Sequence, residues 1–126
     1  MAMSVRSPLG KVKGLGSARS GTHHFWQQRL TAVALLPLTL WFVWCVVRYT
    51  GAPHSEVIAF LSDPVSAVAM LLFIVAGVYH MALGLHVVIE DYIQREGTKI
   101  GLFMLINFAA FAVAAICVFA VLKIAI

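Results

Sequence analysis

The chain has 126 residues, of which 62% are hydrophobic and 11% charged, and its net charge is +4. Soluble domains carry about a quarter charged residues, so this composition leaves little chain for a soluble catalytic domain. The sequence has no Gly-rich phosphate loop, no dinucleotide fingerprint and no cysteine set with iron–sulfur or zinc spacing, so most of the chemistry of any catalysis must sit on other chains.

Residues 1–21 form a basic arm, rich in Gly, Ser and Lys from Ser7 to Gly21, and predicted to be flexible. Arg6, Lys11, Lys13, Arg19 and Arg29 precede the first apolar run with no acid among them. Such a run of cations sets orientation and meets anionic lipid heads rather than nucleic acid. No signal peptide is expected, because the first apolar run is too long for an h-region. The arm is basic and acid-free like a mitochondrial presequence, but it lacks clear amphipathicity.

Residues 22–126 read as a three-helix transmembrane anchor domain, with spans at about 30–49, 64–92 and 100–123. Thr22 is the expected N-cap of the first helix, and the aromatic and polar mixture after it suits a membrane interface. Pro37 sits mid-span, where it bends a helix that neighbours in a membrane can tolerate. Trp44 and Tyr49 anchor the opposite interface, and Gly51-Ala52-Pro53 ends the segment. A loop holding Arg48, His54, Glu56 and Asp63 leads to the next span.

The second helix starts with Asp63 as N-cap and Pro64 at the first position, and is expected to run to about Arg95. His80 lies near the middle of this span, displaced toward the cytoplasmic half: the ten positions to Glu90 cover roughly 15 Å. A mid-span histidine is costly in lipid and marks a functional site by default. Gly77, Gly84, Val87 and Asp91 share or adjoin its face, and Phe73 and Ala76 extend the stripe. Two readings stay open on this geometry. The small face suits a haem with a nitrogen ligand, or His80 is hydrogen-bonded across a close helix interface that the glycines permit. His86 points about 120° away from His80 and is expected to meet a neighbouring helix or the interface.

The third helix carries small residues among Phe103, Phe108, Phe111 and Phe119, a pattern for helix packing. Lys123 snorkels to the far surface. Cys45 and Cys117 lie within spans and read as inert small hydrophobes. The fold class is therefore an all-α membrane protein of three transmembrane helices. If His80 is a haem ligand, one helix offers one axial nitrogen, and a six-coordinate haem needs its second from another chain. This points to part of a hetero-oligomeric helix bundle, with a symmetric dimer as the alternative. Basic residues concentrate in the N-terminal arm and second loop, which places the N-terminus in the cytoplasm or its organellar equivalent and the C-terminus outside.

The segment His80-Met81-Ala82-Leu83-Gly84-Leu85-His86-Val87-Val88-Ile89-Glu90-Asp91-Tyr92 resembles the signature of the smaller membrane anchor of succinate dehydrogenase, the cytochrome b556-type hydrophobic subunit. That family has a histidine, a glycine four residues on, and an Asp-Tyr pair eleven and twelve residues on. The upstream histidine and arginine of the family match His23 and Arg29, with Phe25 between. The resemblance runs from Thr22 to the C-terminus. It implies that His80 is one axial ligand of haem b, the companion anchor subunit supplying the other, and that Gly84 packs against the haem. Tyr92 would hydrogen-bond ubiquinone, with Asp91 holding or polarising that site. Arg29 and His23 would lie near the haem propionates and the quinone entrance, with Arg29 at the depth of Tyr92. The iron–sulfur subunit and the flavoprotein subunit would be the further partners. The expected place is the bacterial cytoplasmic (inner) membrane, with the mitochondrial inner membrane as the alternative. His86 departs from the family, whose members often carry an uncharged residue there.

The expected activity is that of succinate:ubiquinone oxidoreductase, respiratory complex II, with no flavin or iron–sulfur centre on this chain. The alternatives are the anchor of a related fumarate reductase, or a non-enzymatic small subunit in which His80 and Asp91 relay protons.

Overall fold

A computed structural model describes residues 7–13 and 19–126. Among them are five helices and no strands: α1 (Pro8–Lys13), α2 (Arg19–Tyr49), α3 (His54–Ser62), α4 (Pro64–Tyr92) and α5 (Glu96–Ala125). α2, α4 and α5 are each long and apolar enough to cross a membrane, which makes the chain a three-span, all-α membrane protein.

The expected arm over 1–21 lies partly outside the described residues, and Arg6 is among those outside. Within it, α1 is a six-residue helix, and α2 begins at Arg19, before Thr22. Thr22 is thus inside the helix rather than its cap. With 31 residues, α2 extends about 46 Å, well beyond a hydrocarbon core of about 30 Å. Its first turns therefore continue the span into the interface. The helix passes through Pro37 without a break. The backbone bond that proline cannot donate is lost, but the flanking turns hold the path.

α2 ends in a tight turn. Thr50 N–H donates to the Val46 carbonyl and Ala52 N–H to that of Tyr49, at 3.0 and 3.1 Å. Gly51 takes φ +79° there, a left-handed conformation that a residue with a Cβ adopts only at a cost.

The connection between the first two spans reads as a loop in the sequence, but residues 54–62 form α3. Asp63 closes α3 and opens α4. Its amide donates to Phe60 O at 3.3 Å, while its carboxylate accepts from Ser66 N–H at 3.1 Å and lies 3.3 Å from Ser66 Oγ. The predicted pairing of an Asp cap with Pro64 in the first turn is observed.

α4 stops at Tyr92, three residues before Arg95. Ile93 leaves helical geometry with φ −103° and ψ 117°. α5 starts at Glu96 rather than Ile100, with Lys99 Nζ 3.6 Å from Glu96 Oε1 in its first turn. A break is required here, since two antiparallel spans cannot be joined by one continuous helix.

α4 is the central element, packed against both α2 and α5, while α3 lies across α4 and α5. The contacts use small side chains: Ala67, Ala82 and Ala110 are buried beside Leu83, Ile89, Cys45 and Val121. Small residues let helices approach closely where lipid offers no hydrophobic drive for association. Aromatic contacts fill the end near α3. Phe42 stacks on Phe73 at 4.5 Å, and the Phe60 ring lies 4.6 Å from Tyr49 and 6.2 Å from Trp41. Ser62 Oγ adds a tie, 3.1 Å from the Ile124 carbonyl of α5. The spans form a layer one helix thick, and Phe108, Phe111 and Phe119 on α5 are left exposed.

Candidate functional site

Contacts across the α2–α4 seam set its register. A Cβ built at Gly77 would stand 4.0 Å from Leu35 Cδ2, and one at Gly84 would stand 4.0 Å from Gln28 Nε2. Between them, His80 Nδ1 lies 2.9 Å from Thr31 Oγ1. The two helices therefore run antiparallel, and the glycine-bearing face of α4 looks onto α2 of the same chain. Leu35 and Gln28 are the side chains that face these glycines across the seam, at a distance that leaves room for a methyl group. Phe73, on the same stripe, meets Phe42.

Thr31 Oγ1 also lies 2.8 Å from the Gln27 carbonyl and 3.1 Å from that of Gln28. His80 is half-buried, and among the described residues its Nε2 makes no hydrogen bond. One ring nitrogen is thus tied to α2 and the other remains available. No group of three or more His, Cys, Asp or Glu side chains converges among the described residues, so His80 stands as a single donor. A single donor suits a haem, whose macrocycle supplies the equatorial nitrogens.

Toward the start of α2 lies an open groove of about 410 Å³, lined by Gly21, His24, Phe25, Gln28, Arg29 and Ala32, with Val87 from α4. The Arg29 guanidinium sits 5.1 Å from the Phe25 ring centroid, a cation–π distance. His24 Nε2 is shielded from solvent and has no hydrogen-bond partner among the described residues. His23 is exposed and does not line the groove. The structure therefore brings Arg29 together with His24, not with His23.

Asp91 and Tyr92 are exposed at the end of α4, Tyr92 by 79%. Extending the Thr31–His80 and Gln28–Gly84 register places Tyr92 level with the first residues of α2. Arg29 then lies about nine residues, or roughly 13 Å, deeper along the helix. The expectation that Arg29 and Tyr92 share one depth is corrected by this antiparallel register. His86 turns the other way and packs on Phe103 of α5, with ring centroids 4.9 Å apart. It meets a neighbouring helix, as its angle from His80 implies.

The profile of the succinate dehydrogenase/fumarate reductase transmembrane subunit family matches residues 3–119. The chain belongs to this family. Among similar proteins is the succinate dehydrogenase hydrophobic membrane anchor subunit of Rickettsia bellii. It is 32% identical over 120 residues, covering 90% of this chain and 96% of that one. The protein of the same description from Paracoccus denitrificans is 33% identical over 121 residues, covering 96% and 93%. A succinate dehydrogenase membrane anchor subunit of Reclinomonas americana is 34% identical over 95 residues, covering 73% and 79%. The coarse function follows from this kinship and the three spans: a membrane-anchor subunit of the succinate dehydrogenase type.

Two side chains of the site escape a reading by motif. Thr31 and His24 belong to a polar stripe on α2, His24, Gln28 and Thr31, spaced i, i+4 and i+7. In a helix otherwise rich in Leu, Val and Ala, that spacing marks one face. It was the available signal for the side that meets His80.

Proposed function

We propose that the chain anchors a succinate dehydrogenase in the bacterial cytoplasmic membrane with its N-terminus cytoplasmic, and helps to form sites for haem b and ubiquinone. The observation that carries this is His80: a mid-span imidazole with Nδ1 tied to Thr31 and Nε2 free to ligate, in a chain of this family. His80 would hold the haem iron from one side, and the companion anchor subunit would supply the second ligand. Haem b, when bound, supplies a one-electron store within the membrane. The flavoprotein and iron–sulfur subunits would supply electrons from succinate.

Tyr92 and Asp91 stand at the end of α4, which this orientation puts at the cytoplasmic boundary, open to a quinone head group and to a soluble partner. The Tyr92 hydroxyl donates to a quinone carbonyl oxygen as negative charge builds there. Asp91, the adjacent residue, holds or polarises that site. The Arg29 groove lies deeper, and its guanidinium and His24, whose Nε2 has no partner among the described residues, suit an anionic group such as a haem propionate. His23, exposed one residue earlier, is assigned to the quinone entrance.

Tyr92→Phe tests this reading. The variant keeps the ring and loses the donor. In the purified complex, ubiquinone reduction should fall by about tenfold or more, while succinate oxidation with an artificial acceptor that takes electrons upstream persists. Equal loss of both activities would mean failed assembly and would remove Tyr92 from the quinone site.

A further inference from the structure

We infer that Thr31 is a positioning residue for His80: its hydroxyl accepts the Nδ1 proton of the imidazole, and so fixes Nε2 as the nitrogen presented to the iron. This rests on the proposed haem ligation by His80 and deepens it.

The argument is a count of protons. Thr31 has one hydroxyl proton and two lone pairs. Three groups surround its oxygen: the Gln27 carbonyl at 2.8 Å, the Gln28 carbonyl at 3.1 Å and His80 Nδ1 at 2.9 Å. The carbonyls can only accept, so the proton goes to them, as Thr does within helices. The lone pairs then face Nδ1, which must carry hydrogen. In the opposite arrangement the hydroxyl would donate to Nδ1. The Gln27 carbonyl would then face an oxygen lone pair at 2.8 Å, and an Nε2–H would lack a partner among the described residues. Both are unfavourable in an apolar setting. Only the first arrangement leaves a bare lone pair on the one nitrogen that has no other partner.

Electronic consequences follow. A hydroxyl that donates to a carbonyl becomes a better acceptor, and accepting from Nδ1–H makes the imidazole a stronger electron donor through Nε2. A stronger donor favours ferric over ferrous iron and lowers the midpoint potential. Thr31 therefore sets both the orientation of His80 and part of the redox poise, without touching the iron.

The test uses the complex purified through this chain, by redox titration of the haem absorbance together with its low-spin magnetic resonance signal. Thr31→Val preserves shape and removes the hydroxyl. It should raise the midpoint potential by up to about 59 mV, equal to a tenfold loss of ferric preference for one electron. Thr31→Ala, a second hydroxyl-free variant, should shift it in the same direction. Thr31→Ser keeps the hydroxyl and should restore the wild-type value. A Ser variant shifted as far as the Val variant would overturn the inference, since shape rather than the hydroxyl would then be the cause. Val and Ala variants with wild-type potential and signal would also overturn it, leaving His80 ligation standing provided that His80→Ala abolishes the low-spin spectrum. An unaltered spectrum in His80→Ala would overturn the ligation and this inference together.

Discussion

α4 presents one histidine to each of its neighbours, and the two seams treat them differently. On the α2 side, His80 meets a hydroxyl whose own proton goes to helix carbonyls, beside glycines and a polar stripe. On the α5 side, His86 meets the Phe103 ring, and its Nε2 is shielded with no partner among the described residues. A polar neighbour fixes a tautomer and directs the free nitrogen. An aromatic neighbour only accommodates the ring. The two histidines lie about 9 Å apart along α4, and beyond that difference in depth what separates the proposed ligand from the packed histidine is the atom opposite each ring.

The strongest break between the seams should come from removing each imidazole in turn. His80→Ala should abolish the low-spin haem absorption of the purified complex, while His86→Ala should retain it. The reverse pattern, loss with His86 and retention with His80, would exchange their roles. A smaller effect should follow from filling the α5 seam with carbon. His86→Leu removes a shielded, unpaired nitrogen, whose burial costs about 1–3 kcal/mol. Its thermal unfolding midpoint should be equal to or above that of the wild type. A clear fall would mean that Nε2 has a partner on another chain of the assembly.

The smallest effect is expected at Gly84. An added methyl would meet Gln28 at ordinary van der Waals distance, and Ala is favoured over Gly within a helix by about 0.5–1 kcal/mol. Gly84→Ala should therefore assemble normally with an unaltered spectrum. A displaced haem band would instead show that the glycine is kept bare for the macrocycle, sharpening the α2 seam into a haem wall.

The three spans were legible because each apolar run approaches or exceeds the length a bilayer demands, and Asp63-Pro64 signalled the start of α4 through cap chemistry. α3 was not. At nine residues it is too short to register as a span, and Glu56 and His54 made its segment read as a polar loop. The α4–α5 break was hard to place because Glu90, Gln94 and Arg95 favour helix, no proline interrupts the segment, and the first glycine, Gly97, stands beyond the break. Only the need to reverse direction puts the exit at Ile93. Within the site, His80 stood out as an ionisable group deep in a span. Thr31 did not, because the polar stripe of His24, Gln28 and Thr31 marks a face of α2 without saying which residue of another helix lies opposite it. The depth of Arg29 likewise depended on register, which no single helix encodes.

A layer one helix thick changes how variants of this chain will be classified. Among the described residues no large side chain is fully enclosed, so much of what holds the fold must come from lipid and from adjoining subunits. Changes at Phe108, Phe111 or Phe119, on the exposed flank of α5, would then lower the number of assembled complexes per cell while leaving turnover per complex intact. Such changes would look like poor expression, and growth assays alone would confuse them with losses at the proposed cofactor sites. Abundance and specific activity have to be measured separately.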